Sequence, residues 1–367
     1  MEAPLKAGQR WHPMMPDGQH DELSRQQFIW SLRREVAKTV EPSIKSTFDT
    51  KAYPAFTKAN GRDPNRRELR QAMLSDPQVQ MWSALRRTVW EAQWEAAGEM
   101  IERELPELVA KARRYRDSNR KLGSLELDSS VKVPRYNTEI EIHVVPGGYH
   151  VEIAEDDIYA GALWDRIVTI GEPERGEWGD LAGKQLVEWL KKRRPGFAPE
   201  RILDMGCTVG QNTLPFVDAF PDAEVFAIDV AAPCLRYAHA RSEALARKVH
   251  YSQQDAEHTR FEDESFDLIV SNLLFHETSR TGVQNIFREC HRLLKPGGIM
   301  LHNDIGRSAQ MDLPQRFMFD WMTHFAAEPF INAWADTDVF AVAEKVGFDR
   351  KKTFEDYPTG RLFGATK

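Results

Sequence analysis

Three cysteines in 367 residues, Cys207, Cys234 and Cys290, are too few and too widely spaced for a disulfide framework or a zinc-binding set, so they read as reduced thiols. No apolar run is long enough to cross a bilayer, and a membrane partner is therefore not expected. The first twenty residues lack the basic-then-apolar order of a secretory leader, which makes the cytoplasm the default location. Internal repeats and low-complexity tracts are missing, so neither a solenoid nor a long linker is expected. The chain also lacks the Gly-x-Gly-x-x-Gly fingerprint of nicotinamide-binding dehydrogenases, and its extra mass lies before its glycine loop instead of after it.

What is present divides unevenly. A chain of this length is expected to form two domains. Residues 1–130 carry a net charge of +3 and the remainder −10, so nucleic acid is a poor partner for the second half. The basic stretch Lys111, Arg113, Arg114, Arg116, Arg120 and Lys121 reads as a solvated helix end. Phe28, Ile29, Leu32, Val36 and Val40 recur at helical spacing until Pro42, and a second helix is expected over Asn65–Leu74. After Pro77 the face Trp82, Leu85, Val89, Ala97, Ile101 and Leu105, widened by Trp90 and Trp94, predicts a long helix that Pro106 kinks or ends. Ile140, Ile142 and Val144, then Tyr149, Val151 and Ile153, alternate on either side of Pro146-Gly147-Gly148, a pattern that predicts a β-hairpin. Three regions follow: a mainly α-helical domain over 1–130, serving as lid or dimer interface, a hairpin and connecting segment over 131–179, and an α/β domain over 180–367.

In that last region compact strands alternate with helices. Arg201–Met205, Glu224–Asp229, Lys248–Gln253, Phe266–Ser271 and Gly298–Asn303 read as strands of a parallel sheet covered on both faces. The first runs straight into Asp204-Met205-Gly206-Cys207-Thr208-Val209-Gly210. That loop falls at the carboxyl end of the sheet, where open α/β folds bind ligands, and glycine there permits close approach of backbone to ligand. The second strand ends in Asp229, whose carboxylate can accept hydrogen bonds from both hydroxyls of a ribose.

These residues resemble the class I, Rossmann-like S-adenosylmethionine-dependent methyltransferases, and in particular their small-molecule branch. The acidic-x-Gly-x-Gly-x-Gly motif of that family falls on Asp204, Gly206, Thr208 and Gly210, with Thr208 in place of the middle glycine. Asp229 corresponds to the second motif, and Gln254-Asp255-Ala256 resembles the third. Arg292-Leu293-Leu294-Lys295-Pro296-Gly297-Gly298 resembles the family's turn into its fifth strand, and the closing segments Lys352–Glu355 and Arg361–Thr366 match its last two strands. The resemblance covers residues 180–367. It implies S-adenosyl-L-methionine as cofactor, held by Asp204, Gly206, Cys207, Thr208, Gly210, Asp229, Val230, Gln254, Asp255, Ala256, Asn272 and Leu273.

Methyl transfer needs alignment, exclusion of water and often removal of an acceptor proton. His276, just past the fourth strand, is the candidate general base or acceptor-orienting group, with Glu277 as its partner. His302 and Asp304 read as hydrogen-bonded strand-end residues, and no metal is expected. Tyr159, Trp164 and, from the insertion after the fifth strand, Phe317, Trp321 and their neighbours Phe319, Met322 and Phe325 are candidates to line an acceptor pocket. The expected acceptor is a small apolar or aromatic metabolite, with oxygen favoured over nitrogen or carbon as the methylated atom. Two other readings stay open: an RNA methyltransferase using the basic front region, and a cofactor-binding protein without catalysis. A homodimer through the N-terminal helices is compatible with the tryptophan-rich face.

Overall fold

The computed structural model describes residues 12–168, 175–176, 178–356 and 360–367. Its centre is an eight-stranded sheet. The strands are β1 (Ser124–Glu126), β2 (Arg201–Met205), β3 (Glu224–Asp229), β4 (His250–Gln253), β5 (Phe266–Asn272), β6 (Leu294–Asn303), β7 (Thr353–Glu355) and β8 (Leu362–Thr366), in the order β1-β4-β3-β2-β5-β6-β8-β7. All neighbours are parallel except β8, which runs antiparallel to both β6 and β7. Helices on both faces bury the middle of the sheet, so its central strands are largely apolar. Leu203, Met205, Ile269 and Met300 feed one core, and the alternate residues Ile202, Leu268, Val270 and Leu301 feed the other. The chain winds outward from β2 through β3 to β4, then restarts on the other side of β2 with β5. A crevice therefore opens beyond the carboxyl ends of β2 and β5.

The front region is helical, as its periodicity predicts, but its helices run further than their prolines suggest. The helix His20–Glu35 continues through two π-turns, Val36–Val40 and Phe48–Ala52, to Asn60. Pro42 opens a renewed helical turn, where a missing N–H costs little, so it does not end the helix. Pro106 likewise lies inside a single helix, Pro77–Arg116, whose Leu105, Leu108 and Val109 stay buried around it. The expected hairpin is replaced by turns: among the described residues no strand lies between β1 and β2. The Val145 and Gly148 amides donate to carbonyls three residues back, and the Asp157 carboxylate accepts from the Ile153 and Ala154 amides. The alternating pattern misleads because Val151 and Ile153 are solvent-exposed rather than paired across a ladder.

The helical region shares its core with the sheet domain. Trp94, Ile101 and Leu105 pack in one cluster with Leu163, Val209 and Tyr237, while Val36, Leu69 and Trp82 pack with Phe317 and Trp321 from the insertion after β6. A buried polar knot ties the start of the described chain to both. Asp165 accepts from Tyr237 Oη at 2.8 Å and Gln211 Nε2 at 2.9 Å, and lies 2.6 Å from His12 Nε2 and 3.6 Å from Arg241 Nε. Gly123 lets β1 join the sheet, because a Cβ there would stand 2.0 Å from the Val249 carbonyl oxygen.

Candidate active site

One cavity of about 830 Å³ occupies the crevice, within the range of small-ligand sites. Of the residues expected to hold the cofactor, Asp204, Gly206, Cys207, Thr208, Asp229, Val230, Gln254, Asp255, Ala256, Asn272 and Leu273 all line it. Gly210 does not. It is needed for a different reason: its φ is +72°, and a Cβ would meet the Tyr251 hydroxyl at 2.3 Å. Gly206 (φ +70°) and Thr208 (φ +48°) bracket the loop in left-handed conformations. Thr208 thus keeps the backbone that glycine normally provides, and its amide donates to Asp229 Oδ2 at 2.9 Å. Asp229 also accepts from the Ala231 amide. A carboxylate with two oxygens has further acceptor capacity facing the cavity. Burial raises the Asp229 pKa against those two amides, and raises that of Asp204 to about 7 despite the Thr213 hydroxyl that donates to it. The positive-φ cradle and the buried carboxylate fit a nucleoside with a ribose diol.

The far wall is made of side chains from separate segments. His276 and Glu277 sit on the turn Phe275–Glu277, just after β5. Asp304, at the end of β6, accepts the Phe275 amide on one oxygen and lies 2.6 Å from His276 Nδ1 with the other. Two residues not anticipated join them, His143 and Glu328. Glu328 Oε1 is 2.7 Å from His143 Nε2, Glu277 Oε1 is 3.5 Å from the same nitrogen, and His276 Nε2 lies 3.8 Å from Glu277 and 3.9 Å from Glu328. Burial alone would lower the His276 pKa, but Asp304, with Glu328 and Glu277, carries it up to about 10. His143 follows the same balance upward through Glu328 and Glu277. Burial pushes Glu277 up against the two histidines, whereas for Glu328 the histidines win and its pKa falls. His302 is a separate matter: it meets Ser271 Oγ at 2.8 Å, and burial drives its pKa down to about 3.

Aromatic rings frame this cluster. The His143 imidazole lies between Trp90 and Trp164, with ring centroids 6.5 and 6.0 Å away, and the Tyr149 hydroxyl is 2.5 Å from His143 Nδ1. Trp164 lines the cavity, and so does Met322. Tyr159, Phe317 and Trp321 do not, nor do Phe319 and Phe325. Phe317 and Trp321 are buried in the core with Trp82, where Trp321 Nε1 donates to Ser83 Oγ at 2.7 Å. Tyr159 packs its hydroxyl over Gly98 on the long helix. Trp90, His143 and Tyr149 take their places. The aromatic richness of these segments is legible in the sequence, but which ring points inward depends on tertiary packing.

Comparison with known proteins finds sequence matches over the segment that carries the motif loop. Residues 202–298 match a family model described as a methyltransferase domain. A malonyl-[acyl-carrier protein] O-methyltransferase of Methylococcus capsulatus is 34% identical over 146 residues, 40% of this chain and 51% of that protein. An uncharacterised methyltransferase of Synechocystis is 29% identical over 51% of this chain and 81% of that protein. Among solved structures, phosphoethanolamine N-methyltransferase 2 of Haemonchus contortus in complex with S-adenosyl-L-methionine is 25% identical over 45% of this chain and 36% of that one, with a TM-score of 0.36. The chain spans about half the length of the first curated relatives it matches. The matched segment, the motif loop and the sheet with its reversed β8 together support a class I, Rossmann-like S-adenosylmethionine-dependent methyltransferase domain around residues 202–298.

Proposed function

We propose that the protein transfers a methyl group to a small molecule seated between the motif loops and the His143–His276–Glu277–Glu328 cluster, with oxygen as the favoured acceptor atom. The observation that carries this reading is a single cavity that runs from Asp229 to His276 and Glu328. S-adenosylmethionine, when bound, supplies a methyl already activated on a sulfonium, so the displacement needs positioning more than a protein nucleophile. Asp229 and the amides around Gly206 and Thr208 hold the nucleoside end. Trp90 and Trp164 offer flat apolar walls to the acceptor and keep water away from it.

The acid–base work divides between groups. Asp304, Glu328 and Glu277 push the His276 pKa up to about 10, which favours the protonated, acceptor-orienting role over that of a free base. Glu328, whose pKa the two histidines lower, stays a carboxylate and is suited to accept a hydrogen bond from an acceptor hydroxyl and orient it, not to take up its proton. The O-methyltransferase name of the Methylococcus relative is consistent with an oxygen acceptor. The RNA reading loses support from the basic stretch: Arg113 pairs with Glu155 and Asp156, and Arg116 with Asp117 and Asp156, so much of its charge is compensated.

The test is calorimetric titration with S-adenosylmethionine and S-adenosylhomocysteine, followed by an acceptor panel of small phenols and carboxylic acids beside bulk RNA. Cofactor binding together with methyl-mass gain on a small molecule is the expected result. Methylation of RNA alone, or binding with no transfer to any acceptor, would overturn it.

A further inference from the structure

The cluster on the far wall is more than a set of ion pairs. We propose that His143, His276, Glu277 and Glu328 form a site for one divalent transition-metal ion of the zinc, manganese or iron class.

The first argument is convergence. One donor atom from each of His143, His276 and Glu277 lies within 4.8 Å of the other two, and Glu328 adds a carboxylate between the two imidazoles. Donors about 2.0–2.2 Å from a tetrahedral ion stand roughly 3.4 Å from one another. The separations here, 2.7, 3.5, 3.8 and 3.9 Å, bracket that value.

The second argument is the hydrogen bonding behind the donors. Metal-bound histidines usually give their other ring nitrogen to a carboxylate or another oxygen, which fixes the ring and its tautomer. Both histidines do so: His276 Nδ1 meets Asp304, and His143 Nδ1 meets the Tyr149 hydroxyl. Each therefore presents Nε2 to the common centre, and binding of the ion releases the proton that His276 Nε2 carries in the metal-free site.

A third observation points to a missing partner. Glu328 is 1% exposed, yet its Oε2 has no hydrogen-bond partner and faces His276 Nε2. Such a buried, unsatisfied carboxylate oxygen calls for an explanation, and a cation provides one. The backbone is also held out of its relaxed conformations on both flanks. His143 and the β-branched Val144 have φ of 58° and 53°, and Ala327, next to Glu328, has φ of 54°. Strain of this kind gathers where side chains must be aimed.

Two imidazoles with carboxylates suit zinc, manganese or iron better than magnesium or calcium, which prefer all-oxygen sets. This departs from the expectation of a metal-free site, which could not foresee that His143 and Glu328 come to His276. The ion's use rests on the methyltransferase reading: an acceptor oxygen joining the four protein donors as a fifth ligand would be polarised and lose its proton more readily. The site itself does not depend on that reading.

The full chain, stripped with chelator, is titrated with Co²⁺ followed by visible absorption and with Zn²⁺ by calorimetry, with Mg²⁺ as comparison. S-adenosylhomocysteine binding is measured in parallel as a check on folding. The expected result is one Co²⁺ or Zn²⁺ per chain, negligible Mg²⁺ binding, and affinity weakened by roughly tenfold or more in His143→Ala and in the near-isosteric Glu328→Gln, with S-adenosylhomocysteine affinity unchanged. No saturable Co²⁺ or Zn²⁺ binding, or binding indifferent to both substitutions, overturns the metal site while cofactor affinity leaves the methyltransferase reading standing. Metal binding at the cluster without cofactor binding does the reverse.

Discussion

The near and far walls of the cavity are built in different ways, although both face the same space. The near wall is backbone and strand end: the loop after β2, Asp229 at the end of β3 and Gln254–Ala256 after β4 follow one another in sequence and are placed by the sheet's register. The far wall is an assembly of side chains. Trp90 comes from the long helix, His143 from a strained turn, His276 from the end of β5 and Glu328 from the insertion after β6. A wall fixed by a regular lattice of hydrogen bonds suits a constant ligand. One gathered from dispersed segments can change its chemistry without disturbing the sheet.

If the two walls are separate devices, substitutions should divide by wall. His276→Ala should cost the most, lowering turnover by roughly 10²–10⁴-fold while S-adenosylhomocysteine affinity in calorimetry stays put. An equal loss of affinity would show that the walls are not independent. Gly210→Ala should cost stability instead, roughly 2–4 kcal/mol in chemical denaturation, because its Cβ meets the Tyr251 hydroxyl at 2.3 Å with φ at +72°. A variant of wild-type stability would mean that this loop relaxes easily. Asp229→Ala should weaken cofactor binding about 10–100-fold, with Asp229→Asn falling between it and wild type.

Smaller effects sharpen the contrast. Trp164→Leu should raise the acceptor KM by about two- to tenfold at nearly constant Tm. Phe317→Leu should do the opposite, losing about 1 kcal/mol or more of stability with KM unmoved, since Phe317 lies in the core rather than in the cavity. Asp204 adds a pH signature to the near wall. Burial raises its folded pKa above its ordinary value to about 7, so it contributes stability below about pH 4 that is lost as pH rises through 7. Ligand-free wild type should therefore lose stability across that interval more steeply than Asp204→Asn in denaturant titrations. Parallel curves would mean that Asp204 titrates normally.

The same division decides what the sequence could disclose. Strands β2 to β6, the motif loop and Asp229 are legible because their signals are local: apolar runs, a turn that needs left-handed backbone, an acidic strand end. His276 is legible because it follows β5 directly. His143 and Glu328 carry no such signal, since each lies in an aperiodic turn and acquires meaning only from a neighbour more than a hundred residues away. The misread hairpin and the exchange of Phe317 and Trp321 for Trp90 and Tyr149 have one cause. Alternation and aromatic richness report that a segment packs, and the partner it packs against is settled by long-range contacts.

The knot around Asp165 has a consequence for how the protein is made. His12 leaves the ribosome long before Tyr237 and Arg241, and Trp82 long before Trp321. Throughout that interval the nascent helices display apolar faces whose partners have not been synthesised, and native closure brings together residues far apart in the chain. Folding of this protein should thus be completed only after the last sheet strands have been synthesised.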